Sequence, residues 1–297
     1  MSNWLVIGDT SFTGAAFVRM LREQGETVSG ASLRRSEALK FLEAGWDYVV
    51  NFAAANVVPD SWKYPADYFR VNVLEQIPLL DAMVKNPPKK YVHISTPEVY
   101  GSTWGTVSEH FTFRPSTPYA SSRAAAELLL LNYVAQHKLP AVITRAANVY
   151  GEGQQLYRLI PKLLHTILSG NKFPLEGGGK SIRGFIHVND CCRAIETLAV
   201  NGKAGEAYHI APNETGRIQD VVQAVCNRMG VNYRDVVEVT EDRPGKDMVY
   251  ALDSGKLKAL GWMPLISLEN GISRTATWMQ SDWKNLKDQP TVFEFKP

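Results

Sequence analysis

Cysteine is scarce in this sequence, with three among 297 residues. Cys191 and Cys192 are adjacent and Cys226 stands alone, spacings that suit neither a disulfide framework nor a zinc site. All three are expected as buried thiols of a reducing compartment, and no metal site is expected. Long apolar runs are missing as well. None approaches the roughly 18 residues of a membrane span, so no membrane partner is expected. Net charge is nearly absent, at +2, so no polyanion-binding surface is demanded. Nucleic acid is not an expected partner, and any basic site must be local. An apolar strand begins at Trp4 without the basic flank and cleavage region of a signal peptide, which leads to a cytoplasmic expectation. Internal repeats and low-complexity tracts are also lacking. The remainder, 45% hydrophobic and 21% charged, is globular in composition. Its length suggests two domains, or one large α/β domain with a smaller lobe.

Apolar runs at Trp4–Ile7, Thr27–Ser32, Tyr48–Phe52, Tyr91–Ile94 and Ala141–Thr144 read as strands. Helical spacing at Ala15–Leu21, Ser36–Ala44, Tyr68–Val84 and Tyr119–His137 falls between them. Strands that alternate with helices predict an α/β fold, a doubly wound parallel sheet with helices on both faces. After Gly151 the rhythm changes. Helices are expected near Leu159–Leu168, at Asp190–Val200 with Asp190 as N-cap, at Val221–Met229 and at Leu268–Trp283. A Gly-rich turn, Glu176–Lys180, and loops rich in Asn, Arg and Gly interleave with them. We therefore expect residues 1–150 to form the sheet domain, with 186–205 returning to it. Residues 151–297 mainly form a smaller C-terminal α/β lobe.

The first strand opens into its helix through Gly8-Asp-Thr-Ser11-Phe12-Thr13-Gly14. Such a turn sets backbone N–H groups and a positive helix end against phosphate. Gly8 permits the tight turn and Gly14 lets the helix lie close to the sheet, as in a dinucleotide-binding (Rossmann) unit. Ser11 stands where a third glycine would be easiest, and passes if its φ is negative. The acidic residue that usually follows about 20 residues on, for the adenosine ribose, is missing. Ser32, Arg34 and Arg35 occupy that strand end instead. Arginine there suits a 2′-phosphate, so NADP is expected ahead of NAD. The competing reading leaves both arginines solvated and the cofactor NAD.

Two clusters of reactive side chains flank the middle of the chain, Ser95-Thr96-Pro97-Glu98 and Tyr119-Ala-Ser-Ser-Arg123. Thr117 as N-cap and Pro118 at the first helical position would start a helix at Tyr119. Arg123 then lies one turn along on the same face. A phenolate base at neutral pH needs its pKa of about 10 lowered by about 3 units. One cation at about 4 Å in an effective dielectric of about 20 supplies that much. Arginine provides the charge, although its planar fork differs in shape from lysine. The bland alternative is a packed tyrosine, with Arg123 paired to Glu127.

Taken together, the glycine turn, Ala53-Ala54, Ser95-Thr96-x-Glu98 and Tyr119-x-x-x-Arg123 resemble the extended short-chain dehydrogenase/reductase family. Within it the likeness is to nucleotide-sugar 4,6-dehydratases and 4-epimerases. Arg145-Ala-Ala-Asn148-Val-Tyr-Gly151, Leu159-Ile-Pro161, Arg183-Gly-Phe-Ile-His-Val-Asn-Asp190, Arg243-Pro-Gly245 and Leu257-Lys-Ala-Leu-Gly-Trp262 extend it to about Trp278. The resemblance implies an NAD(P) site at Gly8, Ser11, Phe12, Thr13, Gly14, Ser32, Arg34, Arg35, Ala53, Ala54, Tyr119 and Arg123. It implies that Tyr119, aided by Thr96 and Arg123, removes the sugar 4-hydroxyl proton while hydride leaves C4. Glu98 would take a proton from C5, and Asn148, Arg183 and Arg243 would hold the diphosphate of a nucleotide-linked sugar. A homodimer through the Tyr68–Val84 and Tyr119–His137 helices is implied too, and Leu128-Leu-Leu-Leu131 exceeds what one helix face buries.

The sequence departs from that family at several points. Pro97 stands where dehydratases carry an Asp that protonates the departing 6-hydroxyl, and proline has no proton to give. Arg123 replaces a lysine. The segment between Arg35 and Asp47 is short. Epimerisation or 4,6-dehydration after oxidation at C4 is the leading expectation. An NADPH-dependent 4-keto-sugar reductase is the alternative within the class, and a non-catalytic, cofactor-sensing binding protein the alternative outside it. His93 and His187 are expected as satisfied core histidines.

Overall fold

The computed structural model describes residues 1–33, 37–103, 105–242 and 248–294. Six parallel strands form its centre, in the order Ala207–Ile210, Ala141–Ala146, Lys90–Ser95, Tyr48–Asn51, Asn3–Ile7, Thr27–Ala31. Strands covered on both faces read as unbroken apolar runs, and Trp4, Leu5, Val6 and Ile7 are all buried. Alternation along the strand splits them between two layers. Trp4 and Val6 pack with Phe17, Ile195 and Leu198. Leu5 and Ile7 pack on the other side with Leu79, Met83 and Leu130. From the first strand the chain steps outward to Thr27–Ala31 and then back across to Tyr48–Asn51. That reversal is the switch point at which open α/β sheets bind ligands.

The helix Val188–Asn201 packs on the first helix, Phe12–Glu23, and the strand Ala207–Ile210 closes one edge of the sheet. A separate apolar cluster joins Tyr150, Leu163, Phe173, Val222, Ile272 and Met279. It lies among the helices Leu159–Leu168, Ile218–Met229 and Leu268–Ser281. Among the described residues no helix is long and apolar enough to cross a membrane. All three cysteines are buried and free.

Three expected elements differ. The single helix Tyr68–Val84 is two helices, Pro65–Asn72 and Ile77–Lys85, separated by the 3-10 turn Leu74–Gln76. Pro78 has no N–H for the Leu74 carbonyl, and its ring collides with a continuous helix. Apolar periodicity is blind to that break. Asp190 does not cap its helix, because the strand Phe185–His187 runs directly into it and His187 Nδ1 takes the cap by accepting from Asn189 N at 3.2 Å. Asp190 instead accepts from the N–H groups of Leu265 (3.0 Å) and Ile266 (2.8 Å) and pairs with Arg193. The last long helix ends at Ser281, and a short one follows at Trp283–Leu286.

Candidate active site

The glycine turn closes on the sheet by backbone contacts that side chains would block. Gly8 has φ +82°, a left-handed conformation that glycine adopts without strain. A Cβ there would stand 2.9 Å from Ala53 N. Its own N–H donates to Ala31 O at 2.8 Å, so the turn is pinned between the two neighbouring strands. Ser11 has φ −69°, which clears the steric question the sequence raised. Its hydroxyl donates to Gly8 O (2.7 Å) and accepts from Gly14 N (3.2 Å), capping the helix Phe12–Glu23. A Cβ on Gly14 would run into Gly8 O. The first-turn N–H groups of Phe12 and Thr13 have no intrahelical acceptor, and no acidic side chain occupies that turn. Such a cradle fits a dinucleotide pyrophosphate.

Asp9 is a residue that sequence reasoning missed. Its carboxylate fills the space over Gly30 of the second strand, where any Cβ would collide with it. The available signal was a glycine inside a strand, which marks close approach by another group. Ser32 follows, half-buried, at the same strand end. Arg34 and Arg35 lie outside the described residues.

The Pro118–His137 helix begins as expected. Thr117 Oγ1 accepts from Ala120 N at 3.1 Å, and Pro118 sits in the first turn. Tyr119 is buried, with the Tyr68 ring edge-on at 6.2 Å. Burial, and after it the Glu98 charge, push the Tyr119 phenol above its ordinary value. Arg123, a Thr96 hydrogen bond and Arg158 act in the opposite direction and are outweighed. The expectation that Arg123 alone brings the phenol to neutrality is corrected: desolvation of the phenolate exceeds the attraction of one cation.

Arg123 is itself almost fully buried, 2% exposed. It does not pair with Glu127. Its Nη2 donates to Ile94 O and lies 3.3 Å from His93 Nε2. Nε and Nη1 are buried with no partner among the described residues. Three N–H donors on these two nitrogens are thus unspent beside the tyrosine, a donor set of the kind that ligand hydroxyls accept from. Glu127 turns instead to Arg145, which pairs with Ser95 across the adjoining strands.

Thr96 follows the fourth strand and caps the 3-10 turn Pro97–Tyr100, with Oγ1 accepting from Glu98 N at 3.3 Å. Pro97 is buried at the first position of that turn, and Glu98 is half-buried. Tyr119, Thr96, Glu98 and Arg123 are thus gathered at the end of the fourth strand, the same edge of the parallel sheet at which Ala53 and the glycine turn follow the third and first strands. Ala53 and Ala54 follow the third strand, and Asn51 Oδ1 holds Ala53 N at 3.0 Å. A pocket beside Pro97 is lined by Asn148, Arg183, Thr215, Tyr250 and Leu252. Arg183 is half-buried, 4.3 Å from the Tyr250 ring centroid, and Asn148 is exposed. Arg243 lies outside the described residues.

A doubly wound parallel sheet with a phosphate-binding glycine turn at its switch point defines a Rossmann-type dinucleotide-binding protein. The chain belongs to the NAD dependent epimerase/dehydratase family, whose profile matches residues 4–211. It is 37% identical over 254 residues to a dTDP-glucose 4,6-dehydratase of Streptomyces antibioticus, covering 84% of this chain and 76% of that one. A dTDP-glucose 4,6-dehydratase of Xanthomonas campestris is 30% identical, covering 94% of this chain and 93% of its own length. Among solved structures, DesIV (dTDP-glucose 4,6-dehydratase) of Streptomyces venezuelae with NAD and TYD bound superimposes with a TM-score of 0.88. It is 29% identical and covers 96% of this chain and 99% of that one.

Proposed function

We propose that this protein is an NAD-dependent enzyme that oxidises C4 of a nucleotide-diphosphate sugar and returns the hydride to C4 from the other side, a 4-epimerisation. The observation that carries this reading is the meeting of Tyr119, Thr96 and Glu98 beside Arg123, at the same edge of the parallel sheet as the glycine turn. Bound NAD would accept the hydride from C4. Tyr119 takes the 4-hydroxyl proton, with Thr96 hydrogen-bonded to the same oxygen. Arg123 opposes the rise in the Tyr119 pKa. Asn148 and Arg183, with Arg243, hold the diphosphate. We assign cofactor binding to residues 1–150 with 186–205, and sugar-nucleotide binding mainly to 151–297.

Pro97 favours epimerisation, since 4,6-elimination needs a proton donor for the departing 6-oxygen and Pro97 has none. The second reading is 4,6-dehydration. Glu98, a base for C5–H, supports it, as do relatives named dTDP-glucose 4,6-dehydratase. NAD is taken ahead of NADP because a related structure holds NAD and the Asp9 carboxylate at the second strand would repel a 2′-phosphate. We also assign a cytoplasmic location and a homodimer. Leu128 on the Pro118–His137 helix, exposed at 55%, and Leu74 in the turn after Pro65–Asn72, exposed at 59%, support the latter as apolar side chains left uncovered on two elements of the expected interface. A monomer in light scattering at micromolar concentration would overturn the dimer. Incubation with dTDP-glucose and UDP-glucose tests the chemistry. A product of unchanged mass and inverted C4 supports epimerisation, loss of one water supports dehydration, and unchanged turnover by Tyr119→Phe removes Tyr119 as the base.

A further inference from the structure

Five polar side chains run as one chain through the apolar layer between the sheet and the helices Ile77–Lys85 and Pro118–His137. Arg123, His93, Tyr91, Asn51 and Gln76 are between 1% and 3% exposed. Around them stand Leu5, Ile7, Leu79, Met83 and Leu130. Polar groups buried there are costly unless hydrogen-bonded, so the bonds they do make constrain one another.

The hydrogens can be assigned by elimination. Arginine only donates, so His93 Nε2 accepts from Arg123 Nη2 at 3.3 Å. The His93 proton therefore sits on Nδ1 and is donated to the Tyr91 oxygen at 3.1 Å. Asn51 Nδ2 donates to the same oxygen at 3.2 Å and to Gln76 Oε1 at 2.6 Å. Asn51 Oδ1 accepts from Ala53 N at 3.0 Å. Gln76 Nε2 is anchored on Val71 O at 3.1 Å. Burial, then the Arg123 charge, keep the His93 imidazole neutral, as an acceptor here must be. Ala53 N is the atom that faces Gly8 across the turn. The chain thus links the cation beside Tyr119 to the backbone that abuts the phosphate cradle.

We propose that His93 is a positioning residue that fixes the Arg123 guanidinium. Through Tyr91 and Asn51 it ties that guanidinium to Ala53, so that the two ends of the cofactor site are held as one unit. Arginine in place of lysine is then explained by its fork. One nitrogen is spent on Ile94 O and His93, while Nε and Nη1 make no other hydrogen bond among the described residues. A lysine ammonium is a single point and cannot divide its donors over that span. The inference rests on the dinucleotide-site reading above, and its test keeps the two apart.

NADH is titrated, by its own fluorescence, into the purified protein and its variants. Unaltered protein that binds no NADH would overturn the dinucleotide reading and this inference with it. Given binding, His93→Leu removes the acceptor and is expected to weaken it about tenfold, as an orphaned charged donor loses its orientation. His93→Gln, whose carbonyl accepts from Arg123 and whose amide donates to Tyr91, is expected within about twofold of the original. In an Arg123→Lys background, His93→Leu is expected to have no further effect, because its target is gone. Unchanged affinity in His93→Leu, no recovery in His93→Gln, or an equal loss in the Arg123→Lys background would each overturn the role. Should His93→Leu fail to fold, Tyr91→Phe interrupts the chain one link further on. A weaker loss of the same sign supports the proposal, and unchanged affinity overturns it.

Discussion

Glu127 and Arg145 form a buried ion pair, with Arg145 Nη2 2.6 Å from Glu127 Oε2 and side-chain exposures of 0% and 4%. Glu127 also accepts from the Ser95 hydroxyl, and Arg145 donates to Glu109 O at 2.8 Å and packs on the Tyr100 and Phe113 rings. The pair holds Ser95, the residue before Thr96, so its loss would loosen the strand end that carries Thr96 and Glu98. Removing one member leaves the other charge buried and uncompensated. Glu127→Leu should therefore lower stability by about 3–5 kcal/mol in urea denaturation, with Glu127→Leu/Arg145→Met recovering most of it. A loss below about 1 kcal/mol, the size of an exposed pair, would refute that account.

The pH dependence of C4 oxidation should follow Tyr119. Burial and Glu98 disfavour its phenolate, so the phenol is held above its ordinary value until ligands change the site. A base that must be ionised gives a rate that rises with pH through its pKa. Glu98→Gln removes a negative neighbour and should move that limb to lower pH. Arg123→Leu removes a positive one and should move it to higher pH. The burst of bound NADH formed from dTDP-glucose or UDP-glucose, followed by absorbance against pH, reads both shifts. Displacement of either limb in the opposite direction would show that another group titrates.

Glu152 should govern part of the acid stability. Burial raises its pKa, but the close approach of His187 and Arg274, with its own backbone, more than offsets this and holds it at about 2. His187 Nε2 lies 2.9 Å and Arg274 Nε 2.8 Å from its oxygens. A carboxylate whose folded pKa is depressed stabilises above its unfolded pKa of about 4.3 and loses that stabilisation as pH falls toward the folded value. Melting temperature should therefore fall between those limits, and Glu152→Gln should flatten that part of the curve. Parallel curves for the two proteins would exclude Glu152 from the transition.

The doubly wound sheet was legible because strands covered on both faces spell out apolar runs, and because Gly8, Gly14, Thr117 and Pro118 carry local steric signals. Asn148 and Arg183 could be placed by motif alone, and the structure sets them in one pocket with Pro97. What could not be read were properties of pairs distant in sequence. Glu127 chooses Arg145 over Arg123 because Ser95 and Arg145 lie side by side on neighbouring strands. The rise in the Tyr119 pKa depends on how deeply the ring is buried, which spacing does not report. Pro78 was the exception, a visible helix breaker overridden by an apolar pattern.

Pro97 offers the most direct control over the outcome of the reaction. It is the first residue of the turn that Thr96 caps, so its missing N–H costs no helical hydrogen bond, and an acidic side chain at that position is favoured by the turn's dipole. Pro97→Asp should therefore fold normally while placing a carboxyl group beside Glu98. With a proton available for the departing 6-oxygen, the 4-keto sugar would eliminate water after Glu98 removes the C5 proton. The expected result is a product lighter by one water in mass spectrometry, at a rate about 10²–10⁴ above any dehydration by the unaltered enzyme, the range one general acid supplies. If the unaltered enzyme already releases the dehydrated sugar at the rate of the variant, another donor serves the 6-oxygen, and Pro97 does not decide the product.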